Sequence, residues 1–300
     1  MRIGFIGLGH MGLPMATNLV NAGFAVTGYD LQSESLEKFA NAGGLKATSI
    51  AELATDQDVL ITMLQTGEQV KAVCLGTNGL FAHASAKTLF IDCSSIDVQS
   101  SRELHQQAEN HHMLSVDAPV SGGVRGAESA SLTVMIGGSN TAFEKARTIL
   151  CHIGKTLIHT GEPGSGQAAK ICNNMILGIS MIAISEAFVL AKQLGLTPQK
   201  LFEVVTNASG QCWAMSHYAP VPGVLENVPA NHGFQPGFTA AMMLKDLRLS
   251  QNSADSVGVN TPLGKVATEL YAQFNCKKNS LLDFSAIIQL IELTTKNSSA

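Results

Sequence analysis

Along the first half of the chain, short apolar runs alternate with longer stretches in which apolar residues recur at helical spacing. The runs are 2–7 (RIGFIG), 24–30 (FAVTGYD), 58–64 (DVLITML), 88–94 (TLFIDCS), 113–119 (MLSVDAP), 132–138 (LTVMIGG) and 156–161 (TLIHTG). Helical patterns lie between them at 11–22, 33–42, 66–74, 97–110 and 140–150. The early runs show little polar alternation, as expected of strands covered by helices on both faces. Strand–helix alternation of this kind predicts a doubly wound, mainly parallel sheet. The pattern changes at GEPGSG (161–166), beyond which only helical spacing continues, at 166–194, 198–208, 239–257, 262–275 and 283–294. Gly195 marks the end of the first of these helices, and Thr197-Pro198 gives a cap and first position for the next. The expected organisation is an α/β domain over 1–163 followed by an all-α domain over 164–300, with KNSSA (296–300) as a disordered tail.

One helical stretch raises a question of its own. GQAAKICNNMILGISMIAISEA (166–187) carries Lys170 near its start and no further charge until Glu186. Its uncharged run, Ile171 to Ser185, falls short of the roughly 20 residues a membrane span needs. Composition is that of a soluble globular protein, 45% hydrophobic and 14% charged, and the net charge of −4 argues against nucleic acid or an anionic membrane as the main partner. Cys74, Cys93, Cys151, Cys172, Cys212 and Cys276 show neither CxxC nor Cys/His spacing. They read as reduced, mostly buried thiols of a cytoplasmic protein, with no metal site. Met1-Arg2 runs straight into IGFIGLG with no leader pattern, which fits the same compartment.

GFIGLGHMG places Gly7, Gly9 and Gly12 as GxGxxG after a strand and at the start of a helix. Gly7 permits a tight turn, Gly9 a close approach of pyrophosphate, and Gly12 close packing of helix on strand, while the helix N-terminus receives the phosphates. Asp30 closes the second strand eighteen residues after Gly12, where a carboxylate accepts from a ribose hydroxyl and opposes a 2′-phosphate. The first domain is therefore expected to be Rossmann-type and to bind NAD. Leu8, His10 and Met11 of the loop, and Leu31 beside Asp30, are taken as further cofactor contacts. Two more loops follow strand ends and should reach the cofactor, one with Leu64 and Gln65, the other with Ser95. Ser95 and Asp97 would equally serve as helix caps.

Ser121, Gly122 and Gly123 in DAPVSGG offer a hydroxyl and open amides at a helix start, which can hold a carboxylate; the same residues also make a plain turn. Lys170 and Asn174 lie one turn apart on one helix face, a plausible proton-transfer pair, although a lysine can also snorkel to solvent. Lys245 in MMLKDLRLS sits at the edge of the stripe Ala240, Leu244, Leu247 and can point into a cleft or into water. The nine histidines form no metal motif and read as surface residues.

GFIGLGHMGLPMATNL, DAPVSGGVRGAESASLTVMIGG, GSGQAAKICNNMI and MLKDL, in this order and spacing, resemble the β-hydroxyacid dehydrogenases over essentially the whole chain. Within that family the segment CWAMSHYAPVPGVLENVP (212–229) is similar to members acting on 3-hydroxyisobutyrate. The resemblance implies that Lys170 is the catalytic lysine, that Ser121, Gly122, Gly123 and Asn174 hold the substrate, and that Lys245 lies at the nicotinamide end of the cofactor. It implies oxidation of 3-hydroxyisobutyrate to methylmalonate semialdehyde in valine breakdown, with NAD as acceptor and a homodimer or homotetramer as the assembly. Gln65 stands where the family usually has proline, and Ser95 where threonine is commoner. The mitochondrial members carry a transit peptide, so a bacterial, cytoplasmic enzyme is expected. Segment 212–238 has Trp213, Phe238, a single acid (Glu226) and no Lys or Arg, which suits a methyl-branched substrate. The alternatives are a tartronate semialdehyde reductase and a non-catalytic NAD-binding scaffold.

Overall fold

The computed structural model describes residues 1–297; the last three residues of the expected tail lie outside the described residues. The chain divides into two compact units, Met1–Lys170 and Ile171–Ala300.

The first unit is built on a nine-stranded sheet: β1 (Arg2–Ile6), β2 (Ala25–Tyr29), β3 (Leu45–Lys46), β4 (Val59–Thr62), β5 (Leu89–Asp92), β6 (Leu114–Asp117), β7 (Val120–Ser121), β8 (Leu132–Gly137) and β9 (Gly154–Gly161). The order is β3-β2-β1-β4-β5-β6-β8-β7, with β9 on β8. Strands β1 to β6 pair in parallel, β8 runs antiparallel to β6 and β7, and β9 is parallel to β8. The doubly wound expectation holds. Strand β4 shows why its sequence lacks polar alternation. Val59 and Ile61 enter the core that includes Ile3, Phe5, Met15 and Leu19, whereas Leu60 enters the one that includes Leu53, Phe81 and Phe90. With both faces covered, alternation has nothing to report. Chain order reverses between β1 and β4, which puts the ligand crevice of such a sheet at their carboxyl ends.

The second unit is helical: helix Ser165–Gln193 from Ile171 onward, then Pro198–Thr206, Trp213–Tyr218, Ala240–Ser256, Pro262–Phe274 and Ile288–Asn297. Thr197 caps its helix through Lys200 N at 3.4 Å, with Pro198 at the first position as expected. The expected helix at 283–294 instead begins as a 3₁₀ turn, Phe284–Ile287, before continuing as Ile288–Asn297. Helix Ser165–Gln193 is, at 29 residues, long and apolar enough to cross a membrane by length and composition. It serves here as a core helix, burying Met181, Ile182, Ile184, Phe188 and Val189. The thiols correct one expectation. Only Cys74 and Cys93 are buried, while Cys151, Cys172 and Cys276 are exposed. Cys151 falls at the C-terminal cap of Asn140–Leu150, where the chain leaves the core.

Candidate active site

The glycine loop has the shape its spacing predicts. Gly7 adopts φ 93°, and a Cβ on Gly12 would overlap the Gly7 carbonyl. A side chain at Gly12 would push helix Gly12–Asn21 off β1, and one at Gly7 would strike the Met63 carbonyl after β4. Gly9, by contrast, has nothing within 4 Å of where its Cβ would be. The helix begins without a side-chain cap; Leu13 N is spent on the Gly9 carbonyl at 3.0 Å and Pro14 has no N–H, so in the first turn the Gly12 amide is the donor left for an anion. Asp30 is held by two amides: Leu8 N donates to Oδ2 at 2.6 Å and Gln32 N to Oδ1 at 2.8 Å. It is therefore fixed beside the loop and not a solvated turn residue. Each carboxylate oxygen keeps a lone pair for a ribose hydroxyl. Open space at Gly9, the Gly12 amide at the helix start and a fixed acid fit a dinucleotide. Leu8 itself is buried at 1% exposure with its amide spent on Asp30, whereas Leu31 is 87% exposed and His10 is exposed. Met11 is half-buried at the cap position.

The two loops after β4 and β5 are tied together beneath the surface. Thr62 Oγ1 donates to Asp92 Oδ1 at 2.9 Å, Ser94 N donates to the same oxygen at 3.0 Å, and Leu64 N donates to Ser94 Oγ at 2.8 Å. Burial pushes the Asp92 carboxyl up to about 6, against the pull of the bonds from Ser94 and Thr62 and with a further push from the charge of Asp117. Its Oδ2 has no hydrogen-bond partner. Gln65 is exposed, and its amide donates to Gln69 Oε1 at 3.1 Å. Ser95 is half-buried, and Asp97 caps the following helix through Ser100 N at 2.7 Å. Ser121 ends β7 paired with Thr133 of β8, and Gly122 and Gly123 follow with φ 137° and 65°.

Lys170 is buried, at 8% exposure, in the early turns of Ser165–Gln193. The start of that helix is capped from a distant strand. Asp117, at the end of β6, accepts from Gly164 N through Oδ1 and from Gln167 N through Oδ2, both at 2.8 Å. One carboxylate thus does for two orphan amides what a capping box does with two side chains, and it places a negative charge at the positive end of the helix dipole. His105 Nε2 lies 2.9 Å from Asp117 Oδ1 and its Nδ1 2.7 Å from Ser115 Oγ. In the second unit Asn174 is 2% exposed and donates through Nδ2 to Asp246 Oδ2 at 2.5 Å. Lys245 Nζ sits 3.2 Å from Asp246 Oδ1, so one acid links the two expected site residues of that unit. Asp117, Gln167 and Asp246 were absent from the sequence expectations, and His105, expected at the surface with the other histidines, is instead drawn inward by Asp117 and Ser115, its side chain 10% exposed. The acid ending a strand in DAPVSGG and the acid directly after Lys245 were the available signals.

Known proteins match both units. Residues 2–161 match the family described as the NAD binding domain of 6-phosphogluconate dehydrogenase, and residues 164–291 the one described as NAD-binding of NADP-dependent 3-hydroxyisobutyrate dehydrogenase. A probable 3-hydroxyisobutyrate dehydrogenase of Mycobacterium tuberculosis is 47% identical over 289 residues, 96% of this chain and 97% of that protein. The chain belongs to the β-hydroxyacid dehydrogenase family. It is an NAD-dependent enzyme of that family. Another family relative, an NAD-dependent L-serine dehydrogenase of Pseudomonas aeruginosa, is 40% identical over 98% of each chain. A solved structure described as M. tuberculosis 3-hydroxyisobutyrate dehydrogenase with L-serine superposes with a TM-score of 0.92 at 46% identity, over 97% of this chain and 98% of that one. A scaffold without catalysis is thereby set aside.

Proposed function

We propose that this β-hydroxyacid dehydrogenase oxidises 3-hydroxyisobutyrate to methylmalonate semialdehyde, a step of valine breakdown, with Lys170 as the general base. The observation that carries this reading is the burial of Lys170 in a helix whose first turn is pinned by Asp117. A lysine that only snorkelled would show its ammonium to water. Lys170 Nζ takes the proton of the substrate hydroxyl as the C–H bond on the same carbon breaks. NAD, when bound, supplies the hydride acceptor at C4 of its nicotinamide. The Ser121 hydroxyl and the amides of Gly122 and Gly123 would hold the substrate carboxylate, and Asn174, its amide oriented by Asp246, the reacting end. The phosphates would rest on Gly9 and the Gly12 amide at the start of Gly12–Asn21, with the adenosine ribose on Asp30.

The relatives named for 3-hydroxyisobutyrate and the low charge of segment 212–238 support the methyl-branched substrate. L-Serine is a second reading, favoured by the relative named for it. It is the same 3-hydroxy acid with an ammonium group in place of the methyl. The two part on one comparison, kcat/KM with NAD for 3-hydroxyisobutyrate, L-serine, 3-hydroxypropionate and glycerate. The methyl should give 3-hydroxyisobutyrate a lead of about 10–200-fold over 3-hydroxypropionate. A higher value for L-serine replaces the proposal with the second reading, and a higher value for glycerate replaces it with a reductase for tartronate semialdehyde.

A further inference from the structure

Gln167 is fully buried, and both ends of its side-chain amide are used. Oε1 accepts from Ile96 N at 3.1 Å, and Nε2 donates to Ser94 O at 2.8 Å. These two backbone groups stand on either side of Ser95, so the amide brackets that residue much as a neighbouring strand would. Ser94 in turn receives Leu64 N, which brings the loop after β4 into the same assembly. On the helix side, Gln167 N is fixed by Asp117, and Lys170 follows three residues later on the same face.

We propose that Gln167 is a positioning residue that sets Lys170 in register with the Ser95 loop on the cofactor side. The residue type fits the task. A carboxylate would have no proton for the Ser94 carbonyl, an aliphatic side chain would leave both backbone groups unpaired, and a shorter amide would not span the gap. Helix and loop come from distant stretches of chain, and a shift between them would move the base relative to the reacting carbon. Misplacement by about 1 Å can cost ~10²-fold in rate. The inference rests on Lys170 being the base and on the Ser95 loop meeting NAD.

Gln167→Leu removes both bonds at similar volume, and Gln167→Glu keeps the acceptor for Ile96 N while losing the donor to Ser94 O. Two quantities are read on the folded enzyme: the Kd for NADH by cofactor fluorescence, without turnover, and the single-turnover hydride-transfer rate at saturating NAD with protiated and deuterated substrate. Gln167→Leu should weaken NADH binding about tenfold and slow hydride transfer ~10²-fold, with a full isotope effect. Gln167→Glu should fall between it and wild type. A role in stability alone would lower Tm and leave both quantities within about threefold of wild type, which overturns the proposal. If Gln167→Leu does not fold, Gln167→Glu carries the same measurements; failure of both to fold assigns Gln167 to stability and overturns it too. An inactive Lys170→Met beside a wild-type-like Gln167→Leu refutes only the register, whereas an active Lys170→Met refutes the base.

Discussion

Asp92 is buried at the end of β5, and its carboxyl is pushed from its ordinary range of 3.8 up to about 6, chiefly by loss of solvent. The folded protein therefore holds this proton more tightly than the unfolded chain does. Folding is favoured while the carboxyl is neutral in both states, and stability is lost as pH rises between the unfolded and folded values. A rise of roughly 2 units corresponds to about 3 kcal/mol, complete by about pH 7. Roughly half of that loss falls above pH 5. Asp92→Asn keeps an acceptor for Thr62 Oγ1 and Ser94 N and cannot ionise. The variant should match wild type near pH 4 and exceed it by ~2–4 kcal/mol at pH 7.5. Urea unfolding of both proteins at several pH values isolates this one group, since the difference between them cancels the other titrations. A difference that does not change between pH 4.5 and 7.5, or that favours wild type as pH rises, would refute a proton held by burial and point to an Asp92 ionised in the fold.

Asp30→Ser should narrow the ratio of kcat/KM for NAD over NADP from both sides. A 2′-phosphate no longer meets a carboxylate, and the bond from Leu8 N that braces the glycine loop is lost; an unchanged ratio makes Asp30 a bystander. Asp283, fully buried in the second unit, accepts from Gly237 N, Phe238 N, Ser285 N, Ser285 Oγ and Tyr218 Oη. Asp283→Ala orphans three backbone amides at roughly 1–3 kcal/mol each and should cost at least ~3 kcal/mol in urea unfolding. Asp283→Asn, which keeps one acceptor oxygen and can retain the three bonds now made to Oδ2, should cost less, and a loss below about 1 kcal/mol for the alanine variant contradicts the hub.

The long strands and helices were legible because each announces itself through a period. β1, β4 and β5 are short apolar runs bounded by turns, and Pro198–Thr206 carries its own cap and proline. Elements too short to show a period were not. β3 and β7 have two residues each, and Trp213–Tyr218 is a single turn and a half inside a Pro- and Gly-rich segment. The candidate residues that sit in local motifs, Gly7, Gly9, Gly12, Asp30 and Lys170, were visible for the same reason. Their supports were not. Asp117 bonds to amides 47 and 50 residues away, and Gln167 to a loop more than 70 residues away. No local pattern encodes such pairings, and in the sequence Gln167 is merely a polar residue on a helix. Whether Lys170 was buried or snorkelling was likewise undecidable from periodicity, because both place a lysine at the edge of an apolar stripe.

The most direct test of the chemistry is Lys170→Met, measured for single-turnover oxidation of 3-hydroxyisobutyrate and, on the same preparation, for the Kd of NADH. Methionine keeps the length and apolar stem of the side chain and removes the group that accepts the proton. Loss of a general base is worth about 10²–10⁴-fold, so hydride transfer should fall by at least 10²-fold while NADH binds within a few-fold of wild type. Retention of more than about a tenth of the wild-type rate, with the cofactor bound normally, would contradict Lys170 as the base.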